Sequence, residues 1–244
     1  MKNMSYLIEY YDELFEVSSS QKKFYEELST HFGMPTRFLR IDCGTGYFEH
    51  FLAKNGHDAT GIDTSKEMLE RANLRRRMPN TAVRFFQMSS LDMTRFLGKG
   101  FYHVISCLES RIIFVHDKTL RRKFFHDCHT LMHENGVLIL QLLNFENFPA
   151  NPMARLPERE SIRSKLFSQL WENSDGTFSL KKDIELSSGK VVPLNTGETV
   201  CPVSIAELEN CAHEAGFSSV EKFEDYEKKP FTKDSKTCVL ICHW

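Results

Sequence analysis

Two glycines and one acidic residue carry the clearest chemical signal in this sequence. Gly44 and Gly46 stand close together after a short apolar segment, and Asp63 follows the next apolar segment. Glycine lets the backbone approach a bound ligand, and the free N–H groups of a following helix attract anions. A carboxylate about 20 residues further on is placed to bind a ribose diol. These residues predict a crevice for a nucleotide or nucleoside.

The elements that must position these residues alternate between strand and helix. Residues 38–41 predict a short apolar strand, 47–54 a helix with one apolar face that ends at Gly56, and 59–62 the next strand. This order is typical of an open parallel sheet, in which the ligand lies at the carboxyl ends of the strands.

The third small residue of a dinucleotide-binding turn separates two classes of ligand. Dinucleotide-binding turns have the pattern G-x-G-x-x-G/A, whose third small residue allows helix and strand to pack closely. Glu49 occupies that position here. The substitution opposes a nicotinamide-dependent oxidoreductase, which remains an alternative from another functional class.

The run around Gly44 and Gly46 instead resembles the first motif of class I S-adenosylmethionine-dependent methyltransferases, often written LDLGCGTG, and residues 61–69 resemble their second motif. Residues 138–146 are similar to a bacterial small-molecule subset that ends its fifth strand in Q-x-x-N-Y/F-x and then inserts an antiparallel sheet. The resemblance implies an α/β fold with a Rossmann-like seven-stranded mixed sheet, its last strand antiparallel, and S-adenosylmethionine as cofactor.

Two residues depart from the first motif. The family acid falls where this chain has Arg40, and the first family glycine falls where it has Asp42. Because side chains alternate along a strand, Asp42 would face the same side as residue 40 and could meet the cofactor's amino group directly or through one water. The alternative is that its side chain crowds the methionine moiety. We favour the first, and replacement of Asp42 by glycine separates them, since it weakens cofactor binding in one case and strengthens it in the other.

The resemblance also assigns a set of cofactor-binding residues. Asp63 would accept both ribose hydroxyls, with helix capping as its alternative, and Met68 would lie against the adenine or serve only as a core residue. The full set is Asp42, Gly44, Gly46, Asp63, Thr64, Met68, Ser89, Ser90, Cys107 and Tyr11.

Two residues are weak candidates for work on the methyl acceptor. Glu109 follows the strand predicted at 101–107 and could orient an amine, although a solvated loop acid explains it as well. His116 stands in the same loop and could act as a general base. No histidine or cysteine spacing predicts a metal site.

The chain reads as a single domain with three parts. Residues 1–35 predict an N-terminal helical cap, 36–144 and 204–244 the Rossmann-like core, and 145–203 an inserted β-rich lid with hairpins at 171–178 and 184–192. Capping boxes at 64–67 and 204–207 predict helix starts, the first helix reaching about Arg77. A long helix is expected over 118–134, and the last two strands over 220–226 and 237–243.

Composition excludes several classes of protein. The chain has 244 residues, 41% of them hydrophobic, and a formal net charge of −2, so it gives no global electrostatic case for nucleic acid or membrane partners. Seven cysteines are scattered without a C-x-x-C pair. They indicate reduced thiols and a cytoplasmic location. We expect a small-molecule acceptor and a monomer or homodimer.

The resemblance implies transfer of a methyl group to an N- or O-nucleophile of an unidentified small molecule. The sulfonium is already an activated leaving group, so proximity and orientation can supply most of the catalysis and no strict catalytic signature is required. The departures at Arg40, Asp42, Ser89 and Glu109 support one alternative, a degenerate binding or regulatory protein of the same fold.

We predict that the chain binds S-adenosylmethionine or S-adenosylhomocysteine and not NAD, because Gly46 and Asp63 lie in the two motifs that resemble those of the methyltransferases. Calorimetric titration with each ligand measures this. Tight binding of NAD, with no binding of either sulfur-containing nucleoside, would favour the oxidoreductase instead.

Overall fold

A seven-stranded mixed sheet organises the chain, and the computed structural model describes residues 3–75, 81–149, 151–194 and 198–244. The strands of this sheet are β1 (Arg37–Ile41), β2 (Asp58–Asp63), β3 (Val83–Gln87), β4 (Tyr102–Cys107), β5 (Met132–Leu143), β12 (Ser219–Phe223) and β13 (Thr237–His243). Their order is β12-β13-β5-β4-β1-β2-β3. The first five are parallel, and β13 is antiparallel to both β5 and β12. The predicted fold class is confirmed.

Helices cover both faces of this sheet, as its apolar central strands require. The helices are α1 (Met4–Leu14), α2 (Ser19–Ser29), α3 (Tyr47–Lys54), α4 (Lys66–Leu74), α5 (Met93–Phe96), α6 (Lys118–Leu131) and α7 (Ile205–Ala215). On one face, Phe125 of α6 and Leu208 of α7 lie in one buried apolar cluster. On the other face, Tyr25 of α2 and Phe48 of α3 pack edge to face, with ring centroids 4.8 Å apart.

A second sheet occupies the segment between β5 and α7. Its strands are β6 (Met153–Arg155), β7 (Arg159–Glu160), β8 (Ser164–Glu172), β9 (Phe178–Leu186), β10 (Val191–Leu194) and β11 (Thr199–Val200). All of its pairings are antiparallel. The two predicted hairpins are confirmed, since β9 pairs with β8 through the turn at Gly176 and with β10 through the turn at Gly189.

The N-terminal helix α1 packs against the second sheet and the core together. Tyr11 of α1, Met68 of α4, and Leu166 and Ile184 of the second sheet share one buried cluster. Helix α1 and the second sheet therefore meet above the carboxyl edge of the large sheet.

Several predicted boundaries are wrong, each for a local reason. Ser65 rather than Thr64 caps α4, because the Ser65 hydroxyl accepts the N–H of Met68 at 3.2 Å. The helix is described as far as Leu74, and the predicted end near Arg77 lies outside the described residues. The predicted long helix ends at Leu131 and not Glu134, because Met132 is extended and pairs with Tyr102 of β4. The penultimate strand ends at Phe223, where the chain turns.

Candidate functional site

A left-handed turn joins β1 to α3 at the carboxyl edge of the sheet. Gly44 and Gly46 have φ angles of 59° and 67°. A Cβ on Gly46 would lie 2.5 Å from the ring of Phe85, and one on Gly44 would lie 2.8 Å from the hydroxyl of Tyr11. Both glycines are therefore required by backbone conformation and by space.

Asp63 at the end of β2 holds this turn in place. One carboxylate oxygen accepts the N–H of Gly44 at 2.8 Å, and the other accepts the N–H of Ser65 at 2.8 Å. The side chain is buried, with 7% of the residue exposed. Ser65, and not Asp63, is the N-terminal cap of α4. Asp63 contributes to this helix start only by accepting the N–H of Ser65.

The helix α1 closes over the glycine turn. Tyr11 lies against Gly44, and the hydroxyl of Thr45 donates to a carboxylate oxygen of Asp12 at 2.5 Å. Asp12 also forms an ion pair with Arg75, which follows α4. These contacts place Tyr11 at the glycine turn and tie α1 both to that turn and to the end of α4.

Asp42 lies just beyond β1, in the left-handed region with a φ of 54°. Strand alternation therefore does not place its side chain on the same side as that of Arg40, because β1 ends at Ile41. Burial raises the pKa of the Asp42 carboxyl to about 6, and the nearby guanidinium of Arg111 partly offsets this effect. The charge of Asp42 is thus balanced mainly by Arg111 and then by Arg40.

Arg111 is a site residue that sequence reasoning missed. It follows β4 in a short turn, and its guanidinium lies near the side chains of Tyr11, Asp42 and Asp63. Burial lowers the pKa of Arg111, but the neighbouring Tyr11, Asp42 and Asp63 outweigh burial and raise it. No local motif marks this residue, since its partners come from three other parts of the chain.

The second displaced charge, Arg40, faces Glu49 of α3. Glu49 is 1% exposed, and its carboxylate oxygens have no hydrogen-bond partner among the described residues. Burial raises the pKa of Glu49 to about 7, and the charge of Arg40 acts against that shift. The residue that opposed a dinucleotide turn is therefore a buried carboxyl whose charged form is favoured by Arg40 and disfavoured more strongly by burial.

The remaining predicted cofactor residues lie around the same edge. Met68 is buried against α1 and the second sheet, and burial first, then Asp42, raises the pKa of the Cys107 thiol. Ser89 accepts the N–H of Leu91 at 3.2 Å. Partial exposure leaves Ser90 accessible, and Thr64 is exposed.

A cavity of about 390 Å³ lies between the carboxyl edge of the large sheet and the second sheet. Its apolar lining comes from Phe15, Ile113, Phe114, Leu143, Phe145, Leu156, Leu166 and Leu180. Its charged lining comes from Glu109, Arg111, Glu158, Arg159, Lys182 and Lys236. Phe15 and Glu109 line both this cavity and a smaller space beside Cys43 and Thr45, so the cavity adjoins the glycine turn and has the size of a small-molecule site.

Only one of the two predicted acceptor residues lines this cavity. Glu109 does so and forms an ion pair with Arg159 of β7, while its N–H donates to the side chain of Gln141 at 2.8 Å. His116 is exposed and bonds to the carbonyl of Thr199 at 2.7 Å, outside the cavity lining. Glu109 thus joins the core to the insert and is not a free loop acid.

Two further observations concern the described residues only. Within those ranges, no helix combines the length and apolar character needed to cross a membrane. The same ranges contain no group of three or more His, Cys, Asp and Glu side chains that could hold a metal ion.

Comparison with known families adds to this geometry. The sequence model of a family described as "Methyltransferase domain" matches residues 38–136, which run from β1 into β5 and include the glycine turn, Asp63 and Glu109. The match covers about two fifths of the chain, and both motifs that predicted a methyltransferase lie within it.

The relatives of this chain are distant. A putative methyltransferase of Geobacillus sp. (strain WCH70) is 27% identical over 106 residues, 43% of this chain and 42% of that protein. A glycine/sarcosine N-methyltransferase of Parasynechococcus marenigrum (strain WH8102) is 23% identical over 193 residues, 78% of this chain and 66% of that protein. The chain thus spans between two fifths and just under two thirds of the length of these relatives.

The fold likeness extends beyond the matched segment. A crystal structure of an S-adenosylmethionine-dependent methyltransferase from Clostridium acetobutylicum ATCC 824 has a TM-score of 0.79 at 15% identity, covering 98% of each chain. The second sheet and the N-terminal helices are therefore part of a shared architecture.

We predict that Asp63→Ala weakens S-adenosylhomocysteine binding by about 1–3 kcal/mol, because the ribose hydroxyls lose the buried carboxylate expected to accept them. It should also lower the free energy of unfolding, since the N–H groups of Gly44 and Ser65 lose their acceptor. Asp58→Ala, at the other end of β2, is the matched control, since it removes an ion pair with Arg84 outside the cleft. Calorimetry and urea unfolding separate the two effects. Unchanged affinity in folded Asp63→Ala would restrict Asp63 to a structural role.

We predict that Asp42→Asn changes the pH dependence of stability. The folded pKa of about 6 exceeds the ordinary value of 3.8, so this group's favourable contribution is complete below about pH 4 and is lost as pH rises through 6. Asparagine does not titrate and tolerates a positive φ. The free energy of unfolding of the variant, relative to the unsubstituted protein, should therefore be higher at about pH 7 than at about pH 4. A pH-independent difference in urea unfolding would contradict this.

Proposed function

We propose that the chain is an S-adenosylmethionine-dependent methyltransferase that acts on an N- or O-nucleophile of a small molecule. The observation that carries the proposal is that two spaces adjoin at the carboxyl edge of the sheet. One lies beside Cys43 and Thr45 of the glycine turn, and the other is the cavity lined by Arg111. Phe15 and Glu109 line both, so a donor and an acceptor could lie side by side.

The residues of the cleft fit the parts of this cofactor. Gly44 and Gly46 allow close approach of the backbone, and Asp63 offers unused lone pairs to a ribose diol. The buried, opposite charges of Asp42 and Arg111 suit a zwitterionic amino-acid group. On the adenine side we assign Met68, Thr64, Ser89 and Ser90, and on the methionine side Cys107 and Tyr11.

Orientation is what the chain itself would contribute to the reaction. S-adenosylmethionine supplies an activated methyl group, and an in-line approach of the nucleophile is then the main requirement. A base is needed only where the nucleophile is protonated. Glu109 is tied to Arg159, so we assign it to holding the insert in place rather than to proton transfer.

We also propose that residues 1–35 act as a cap and 145–203 as a lid over the core formed by 36–144 and 204–244. The cluster shared by Tyr11, Met68 and Leu166 supports this division, because it joins all three parts. Such a cover would exclude water from the reacting groups. A cytoplasmic location and a monomeric or homodimeric state remain predictions.

An amine is the acceptor type that we would test first. One relative is described as a glycine/sarcosine N-methyltransferase, and its match covers 78% of this chain. Secondary support comes from the cavity size, which suits a small molecule.

We predict that the purified chain converts S-adenosylmethionine to S-adenosylhomocysteine only when a small amine or hydroxyl acceptor is added. Chromatographic measurement of the nucleoside product over an acceptor panel tests this, with Asp63→Ala expected to lower the rate and Asp58→Ala to leave it unchanged. Tight cofactor binding without turnover on any acceptor would favour the binding-protein alternative.

A further inference from the structure

The inner face of the second sheet is apolar except at its centre. Strand pairing places Leu166 opposite Ile184 and Leu170 opposite Leu180, and all four are buried. Between these pairs, Ser168 lies opposite Lys182, and both line the cavity. A lysine in the middle of an apolar face is unusual, because burying an ammonium is costly unless it has partners.

The Lys182 side chain is only 14% exposed, and its ammonium has one ion-pair partner among the described residues. Its Nζ atom lies 3.2 Å from a carboxylate oxygen of Glu198. It also lies 5.8 Å from the ring centre of Phe114, which belongs to the core, so it reaches across the cavity. An ammonium has three N–H donors, so further donors are available to a ligand after the bond to Glu198.

The surroundings of Lys182 favour an anionic ligand group. Four cationic side chains line the cavity, namely Arg111, Arg159, Lys182 and Lys236, against two carboxylates, Glu109 and Glu158. Glu109 and Arg159 neutralise each other, and Lys236 at the mouth has no ion-pair partner among the described residues. Burial lowers the pKa of Lys182 despite the opposing charge of Glu198. A second anion beside the ammonium would relieve this cost, and the phenylalanine and leucine side chains of the cavity would enclose an apolar portion of the same molecule.

We propose that Lys182 binds a carboxylate, or an equivalent anionic group, of the methyl acceptor, so that the acceptor is an organic anion with an apolar portion. This inference rests on the proposed function, because it takes the cavity to be the acceptor site. Lys182 is assigned as a substrate-binding residue and specificity determinant, not as a base.

Two fluorinated probes test this by ¹⁹F NMR titration. 4-Fluorobenzoate and 4-fluorobenzyl alcohol share one ring and differ in charge. The unsubstituted chain should bind the benzoate about tenfold more tightly than the alcohol. Lys182→Met, an apolar replacement on an apolar face, should abolish that preference while leaving binding of the alcohol unchanged, and Lys182→Arg should restore part of it.

Two other lysines are substituted for comparison, Lys181 as the matched control and Lys236 as the other candidate for the anion site. Lys181 is the neighbour on the opposite face of β9, over the ring of Trp171, so Lys181→Met should retain the preference. Lys236→Met tests the cation at the mouth. Equal binding of the two probes by the unsubstituted chain, or an intact preference in folded Lys182→Met, would overturn the proposal, and loss in Lys236→Met alone would move the anion site to the mouth. Thermal melting of each variant verifies folding.

A separate titration with S-adenosylhomocysteine keeps this test distinct from that of the proposed function. Failure to bind the nucleoside, with an intact preference for the benzoate, would overturn the methyltransferase proposal but not an anion site at Lys182. Nucleoside binding without any anion preference would overturn only the role of Lys182.

Discussion

The carboxylate of Asp63 is the interaction on which the carboxyl edge of the sheet depends. It accepts the N–H of Gly44 after β1 and that of Ser65 before α4, so one side chain fixes the ends of two neighbouring strands. Each carboxylate oxygen has a second lone pair, so these bonds leave acceptors for a ribose diol. A structural role and a ligand role at Asp63 are therefore compatible.

The charges that depart from the family pattern lie near opposite charges, but burial outweighs these neighbours. Arg40 stands where the family has an acid, and its charge acts against the rise that burial causes in the pKa of Glu49. Asp42 stands where the family has a glycine and has the left-handed φ of one, and the charge of Arg111 acts in the same way on its carboxyl. Burial still raises the pKa of both carboxyls, so each departure places a carboxyl in the core at a cost that its cationic neighbour only partly offsets.

Local spacing was sufficient for the order of elements and for many of their bounds. The helix Tyr47–Lys54 and the strand Thr237–His243 follow from apolar periodicity and from glycine or polar residues at their ends. Errors arose where two local signals competed, as at Thr64 and Ser65, or where strand pairing overrode a helical pattern, as at Met132. The partners of the site, namely Arg111 for Asp42 and Arg159 for Glu109, are distant in sequence, and no local pattern could identify them.

The cover over the site is apolar inside and polar at its margins. Leu166 belongs to the cluster that holds Tyr11 and Met68, and it also lines the cavity beneath the insert. The same packed group therefore borders both the glycine turn and the cavity. The polar ties at the margins, Glu109 with Arg159 and Asp12 with Thr45, contribute less per contact than the buried cluster. Packing of α1 and the second sheet against the core then depends mainly on apolar contacts, and the polar ties determine how both align with the core.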